Sequence, residues 1–488
     1  MLRSLQRCAK VVSLAAAGLV SSCAGEAPCN GDYGSSPDGP TDAQAVHVAT
    51  CGSDANDGSR SRPFRTVARA LASTASTVLV AGGSYGEDLP VIARAVAVVG
   101  LSAASTTIVG AGEATGANKG RAVIHVADAG TVTLQNLTVR GNAQSGIFAE
   151  RSILQLNQVS VTGMKGIAPA PLGHGVSVVD GTLVGAHISL NHNQGCGLLA
   201  RRSRVSVTGL TVDENRGGGV ALIDRPSGGT ASSFSDLRAA ANDGFGFASW
   251  GASADVAYGS IVGTRSTAPG RDGDGVVVLG LAEAGRPEAA SRVDLGAVSI
   301  SENARIGVLV DGSSSGSLSG ALIGENGRGG LWLQRGAVAG SAFAVTGSTF
   351  RANQFGGVVV TSGASLAMKN STVLGTRSGT LVEGLATVSV GDGLSVFDSA
   401  SALVTQCVFG VSARVAIVVD GAAPSTSFSQ NQIAMTGDAV VLQGAAPGTV
   451  VFSTTDNSLA SGARVVDVGL VRSLETVRAS ISVAASAP

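Results

Sequence analysis

HISLNHNQGCGLLA (187–200) and VDENRGGGVALID (212–224) decide the fold. Each carries an asparagine, Asn193 and Asn215, followed four residues later by Gly and five later by an apolar residue. Reading outward, the same pattern marks Asn142, Asn242, Asn303, Asn326 and Asn353. Neighbouring members lie 22, 27, 23 and 27 residues apart where nothing intervenes, and the gaps of 51 and 61 hold about two periods plus an insertion. A period in the twenties, made of short Val/Ile/Leu strands and Gly/Asn turns, is the sequence form of a solenoid. Parallel stacking lets the coils above and below satisfy each strand's backbone groups. Asparagines sharing one turn position can stack into an amide ladder, and the glycines allow the positive φ that the turn needs. The expectation is an all-β chain: a single parallel β-helix solenoid of about 16 coils, ~75 Å long.

Composition fits a thin core. Aromatics are 3% and charged residues 14% of the chain, while Gly accounts for 69 of 488 residues, so aliphatic side chains close to the backbone must fill the interior. The character holds from residue 78 to about 470, with no second globular domain. Lys10, Lys119, Lys165 and Lys369 are the only lysines. No basic run exists, which argues against a nucleic-acid partner. The expected state is a monomer.

The amino terminus reads as an export signal. Arg3, Arg7 and Lys10 precede a short apolar run, Val11 to Val20, too short to span a bilayer. Val20-Ser21-Ser22-Cys23 resembles the lipobox of bacterial lipoproteins, which implies cleavage after residue 22 and lipidation at Cys23. Loss of residues 1–22 removes three positive charges and no negative ones, taking the formal net charge from −1 to −4. Residues 23–44 have tether composition. Ala24 after the cysteine fits outer-membrane sorting in Gram-negative lipoproteins, so an envelope location, surface-exposed, is expected. In an exported chain, Cys29 and Cys51 are expected to pair, whereas Cys196 and Cys407 sit many coils apart and are expected to be buried thiols.

Residues 45–77 supply a first strand, AVHVA, a turn-rich loop, and a helix from Pro63 with Phe64, Val67, Ala68 and Leu71 on one face, suited to capping the open end. Val48, Gly52, Asp54, Gly58, Pro63, Phe64, Thr66, Val67, Ala70 and Leu71, with Val78, Val80, Gly83 and Tyr85, resemble the opening of right-handed parallel β-helix proteins of the pectin-lyase-like superfamily. The resemblance implies a right-handed β-helix over 78–470, with 471–488 as a cap or tail, and admits polysaccharide lyase or hydrolase activity.

A longer repeat aligns residues 186–282 with 297–398. Within it, Gly263-Thr264-Arg265-Ser266 leads through a loop to Gly273-Asp274-Gly275, and Gly375-Thr376-Arg377-Ser378 leads through a longer loop to Gly391-Asp392-Gly393. An earlier coil is similar, with Lys165 before a loop ending in Gly173-His174-Gly175. Lys165, Arg265 and Arg377 are therefore candidate contacts for carboxylate or sulfate. His174, Asp274 and Asp392 are candidate acceptors for sugar hydroxyls, in a row spaced ~19 Å and engaging a linear polymer by avidity. The plain alternative is a set of solvent-exposed turns.

Catalytic machinery is hard to assemble from these residues. The Gly-His-Gly segment resembles that of polygalacturonases, but the paired carboxylates that glycoside hydrolysis needs are missing from the preceding coil. Arg265 or Arg271 with Asp272 and Asp274 is the only group that could imitate a Ca²⁺-assisted lyase site. His187 and His192 would need a third ligand to hold a metal. The Asp54–Gly58 loop departs from Ca²⁺-loop spacing. No catalytic residue and no resident cofactor is assigned. The reading is a lipid-anchored, non-catalytic rod that binds polysaccharide or serves structurally, with a polysaccharide-cleaving enzyme and a protein-binding adhesin as alternatives.

Overall fold

Strands Thr182–Asn191 and Arg204–Asp213 pair in parallel, Leu183 opposite Val205 and Leu190 opposite Val212. Leu198–Arg201 and Val220–Ile223 then pair in the same sense across a second sheet. This unit, one long strand and one short one, repeats along the chain. The computed structural model describes residues 29, 31–33 and 45–466 except 111–120, 168–171, 227, 269, 282–288, 336–341, 384–385, 423–424 and 445–449. The expected signal peptide (1–22), Cys23 and the 471–488 cap lie outside the described residues.

The first sheet holds 24 strands in sixteen rungs, eight of them split in two at a mid-strand bend. The bend has a local cause. Asn136, Gln158, His187, Asp236, Tyr258 and Ala297 hold φ between 50° and 57° there, turning the strand by a left-handed residue without leaving the sheet. The second sheet runs through fourteen rungs from Ala122–Ala127 to Ala463–Val466. The third insertion emerges as an antiparallel hairpin, Gly379–Glu383 against Ala386–Phe397.

Side chains alternate across each strand, so Val132, Leu134, Leu137 and Val139 point inward and meet Leu154, Leu156, Val159 and Val161 of the next rung. Val, Leu and Ile dominate this interior, and rings such as Phe234 and Phe247, edge to face at 5.4 Å, fill it where the rungs carry bulkier residues.

Buried asparagines hold the turn between long and short strands. Asn193 Nδ2 donates to Asn215 Oδ1 at 2.9 Å, and Asn215 Nδ2 to Asn242 Oδ1 at 3.0 Å. Asn303, Asn326 and Asn353 repeat the chain at 2.8 Å and 2.8 Å. Each acceptor also takes a backbone N–H from the rung before, so donors that the sheets cannot reach are paired. Two sequence expectations change here. Asn142 is exposed and outside the ladder, because Gly141, with φ of 140°, occupies the ladder position in that rung. Asn431 and Asn457 form a second ladder at 2.9 Å, at the mid-strand bend rather than at this turn.

At the amino-terminal end the helix is shorter than expected, Val67–Leu71. Residues 58–64 are spent elsewhere. His47 N–H donates to Gly58 O, Phe64 N–H to His47 O and Ala49 N–H to Phe64 O, so an extended segment covers the edge of the first strand. Gly58 has φ of 80° and lies against the Phe64 ring, where a Cβ would sit 2.5 Å from ring carbon. Thr66 caps the helix, and the Glu87 carboxylate accepts the N–H groups of Val67 and Ala68. Cys29 and Cys51 are disulfide-bonded, while Cys196 and Cys407 are buried free thiols.

Candidate functional site

One residue past the ladder, a side chain has to face solvent. In successive rungs that position holds Lys165, Gln194, Arg216, Asp243 and Arg265, each tied by its N–H to the carbonyl of the ladder-position residue in the preceding rung. One residue before the ladder lie His192 and Glu214, both at φ of 56°, with Nε2 and Oε2 3.4 Å apart. Together with Gly163 and Met164 these side chains line a groove of about 780 Å³.

Charge in the groove is unevenly matched. Arg265 Nε donates to Asp243 Oδ1 at 2.7 Å. Among the described residues, Lys165 and Arg216 make no ion pair. Among the described residues these two cations face the groove without an ion-pair partner, two rungs, or ~10 Å, apart.

The six expected contacts separate into two groups. Lys165, Arg265 and Arg377 are exposed. Arg377 continues the same column four rungs beyond Arg265, but Ala304, Gly327 and Gln354 stand between, so the groove does not extend to it. His174, Asp274 and Asp392 are buried, at 3%, 2% and 0% exposure, and cannot meet a sugar hydroxyl as expected. They clamp the closing end of each insertion to the next rung. Asp274 accepts from Arg305 through both oxygens, with Nε to Oδ1 at 2.8 Å, and from the Ile306 N–H. Asp392 does the same with Arg414, Nε to Oδ1 at 2.7 Å, and takes the Ser395 hydroxyl. Burial pushes both carboxyls above the usual carboxylate range, with the arginines pulling the other way. His174 Nδ1 accepts the Cys196 N–H at 2.9 Å, which leaves its proton on a buried Nε2 without a partner. Burial lowers its pKa to about 4.

The imitation of a lyase site does not assemble. Asp272 is consumed by its own loop, accepting from Ser266 Oγ at 2.8 Å and Thr267 N–H at 2.7 Å. Asp274 is buried on Arg305, and Arg265 is paired with Asp243. Asp54, in the loop whose spacing departs from that of a Ca²⁺ loop, accepts the N–H groups of Arg65 and Thr66 and the Thr66 hydroxyl. His187 sits at the mid-strand bend, away from His192 at the groove. Among the described residues no three His, Cys, Asp or Glu side chains gather as a metal cage. Trp332 is fully buried and Trp250 half-buried.

His192, Gln194, Glu214, Arg216 and Asp243 were not singled out as groove residues from the sequence. Their signal was adjacency to Asn193, Asn215 and Asn242: the flanks of a buried ladder are obliged to be outside.

A family model described as "Right handed beta helix region" matches residues 284–391. Over those residues the chain is a right-handed parallel β-helix, and the same stacked parallel sheets run through the rest of the described residues. A second model, described as "Protein of unknown function (DUF1565)", matches residues 50–223, a stretch that contains Lys165 and Arg216. No curated protein matches the chain. Among solved structures, the β-helix is similar to the A-module of the mannuronan C-5 epimerase AlgE4 of Azotobacter vinelandii at 14% identity, over 82% of this chain and 91% of that one, with a TM-score of 0.36. It is also similar to the catalytic domain of a GH87 α-1,3-glucanase at 10% identity, over 88% and 69%, with a TM-score of 0.37. For the pectate lyase Pel9A the figures are 13% identity, 67%, 78% and 0.31.

Proposed function

We propose that this β-helix is a non-catalytic rod of the bacterial envelope, anchored by lipid at Cys23 and exposed on the outer membrane, that binds an extended anionic polysaccharide. The observation that carries the reading is the groove of about 780 Å³ in which Lys165 and Arg216 face solvent with no ion-pair partner among the described residues. Carboxylate or sulfate groups on a polymer chain would complete those two cations, and Gln194 and Asp243 offer hydrogen-bonding groups to hydroxyls between them. Retention of the soluble 24–488 fragment on a polyuronate, compared with a neutral glucan, tests it. Equal behaviour on both polymers would remove the reading.

One observation favours a second reading. His192 and Glu214, adjacent in the groove beside Lys165 and Arg216, could move a proton at a carbon next to a bound carboxylate. Release of new unsaturated chain ends from the polyuronate, lost in His192→Gln, would establish a lyase instead.

A further inference from the structure

The backbone sets the spacing of the column that lines the groove. Lys165, Gln194, Arg216, Asp243 and Arg265 each donate an N–H to the preceding rung at 2.8 to 3.2 Å, so their Cα atoms stand one rung apart, ~4.8 Å. Beneath them the amide bonds from Asn193 to Asn215, at 2.9 Å, and from Asn215 to Asn242, at 3.0 Å, hold that pitch. Charge alternates along the column. Cations occupy the first, third and fifth rungs, a neutral amide the second and a carboxylate the fourth.

The residues between the cations are differently equipped. Gln194 Oε1 accepts the Gly166 N–H at 3.0 Å, which leaves its amide N–H groups to the groove. Asp243 accepts from Arg265 Nε at 2.7 Å, one of five donors on a guanidinium that is half exposed. Glu214, beside the column, faces His192 at 3.4 Å. Three cations thus line the groove with two carboxylates, and successive cations stand two rungs, or ~10 Å, apart.

We propose that the groove reads one anionic group per disaccharide, so that its ligand is an alternating copolymer of an acidic and a neutral sugar. The inference rests on the groove being an anionic-glycan site, as proposed above. One rung is close to the advance of one pyranose along an extended chain, which sets Lys165, Arg216 and Arg265 opposite every second sugar. Between them the Gln194 amide donates to hydroxyl or acetamido oxygens, and the Asp243 carboxylate accepts from hydroxyl or acetamido N–H groups. A chain with a carboxylate on every sugar gains nothing from the extra ones. Each turns to solvent or falls opposite Gln194 or Asp243, and Asp243 repels it.

Isothermal titration of the full chain with two hexasaccharides reads the spacing: hyaluronan, with one carboxylate per disaccharide, and mannuronan, with one per sugar. The hyaluronan hexamer should bind more tightly than the mannuronan hexamer or within about twofold of it, despite half the charge. Gln194 is exposed, and Gln194→Lys places cations on three successive rungs. That variant should shift the affinity ratio about threefold toward mannuronan. Hyaluronan weaker in proportion to its charge, or an unchanged ratio in Gln194→Lys, would overturn the spacing and leave an anionic-glycan groove standing. Binding of neither hexamer, or binding of both undiminished in Lys165→Glu/Arg216→Glu, would overturn the groove and the spacing with it.

Discussion

Arg305 and Asp274 lie on adjacent rungs and form a two-pronged ion pair in which both side chains are almost wholly buried. The pair closes the loop that begins at Arg265, and the Ile306 N–H completes the carboxylate's partners. Taking two charges out of water is offset only while both are present. Arg305→Met should therefore cost about 3–5 kcal/mol, whereas Asp274→Leu/Arg305→Met should lose far less. Urea denaturation of the three proteins checks this, and similar losses for single and double variants would contradict it.

Asn215 is the middle of a three-residue ladder, and its amide both donates to Asn242 and accepts from Asn193. Asn215→Ala removes the acceptor of the Asn193 N–H and Nδ2 groups on one side and the side-chain donor to Asn242 Oδ1 and Leu190 O on the other, for a loss of roughly 2–4 kcal/mol. Asn142→Ala, in the same sequence motif but exposed, should change stability by less than about 0.5 kcal/mol. Equal effects would mean that the ladder is not what holds the turn.

That contrast shows how far the sequence could be read. The Asn-x₃-Gly-apolar spacing identified six ladder residues correctly, because the glycine four on and the inward apolar residue five on are part of the same turn. It admitted Asn142, where a one-residue shift puts Gly141 in the ladder position instead. It missed Asn431 and Asn457, whose turn needs no such glycine. At the site, Gly-Asp-Gly reads equally as an exposed turn or a buried clamp. Only the partners, Arg305 and Arg414, decide, and they lie 31 and 22 residues further on. The exposure of Lys165 and Arg265 was legible, since each lies two residues past a turn glycine, Gly163 and Gly263.

His174 ties stability to pH. In the folded chain its pKa falls to about 4 by burial, below the ordinary 6.5, so the neutral ring is the folded form. Stability is complete above pH 6.5 and declines as pH drops from there toward about 4, because the unfolded chain takes up the proton first. The full decline is about 3 kcal/mol. His174→Asn, which retains an acceptor for the Cys196 N–H, should flatten denaturation midpoints across that window. A slope unchanged by the substitution would assign the effect to other groups.

Cys196 should be chemically silent in the native state. Burial pushes its thiol up to about 12, and its Sγ donates to Gly217 O at 3.0 Å. Alkylation at neutral pH should proceed only after urea unfolding. Rapid labelling of native protein would show that the rung opens.

Isothermal titration of soluble 24–488 with a uronate oligosaccharide tests recognition of an anionic glycan by the Lys165–Arg216 groove most directly. Binding should weaken with salt, drop roughly tenfold or more in Lys165→Glu/Arg216→Glu, and persist in Arg377→Glu. Undiminished binding in the groove variant, or loss in Arg377→Glu alone, would contradict the account.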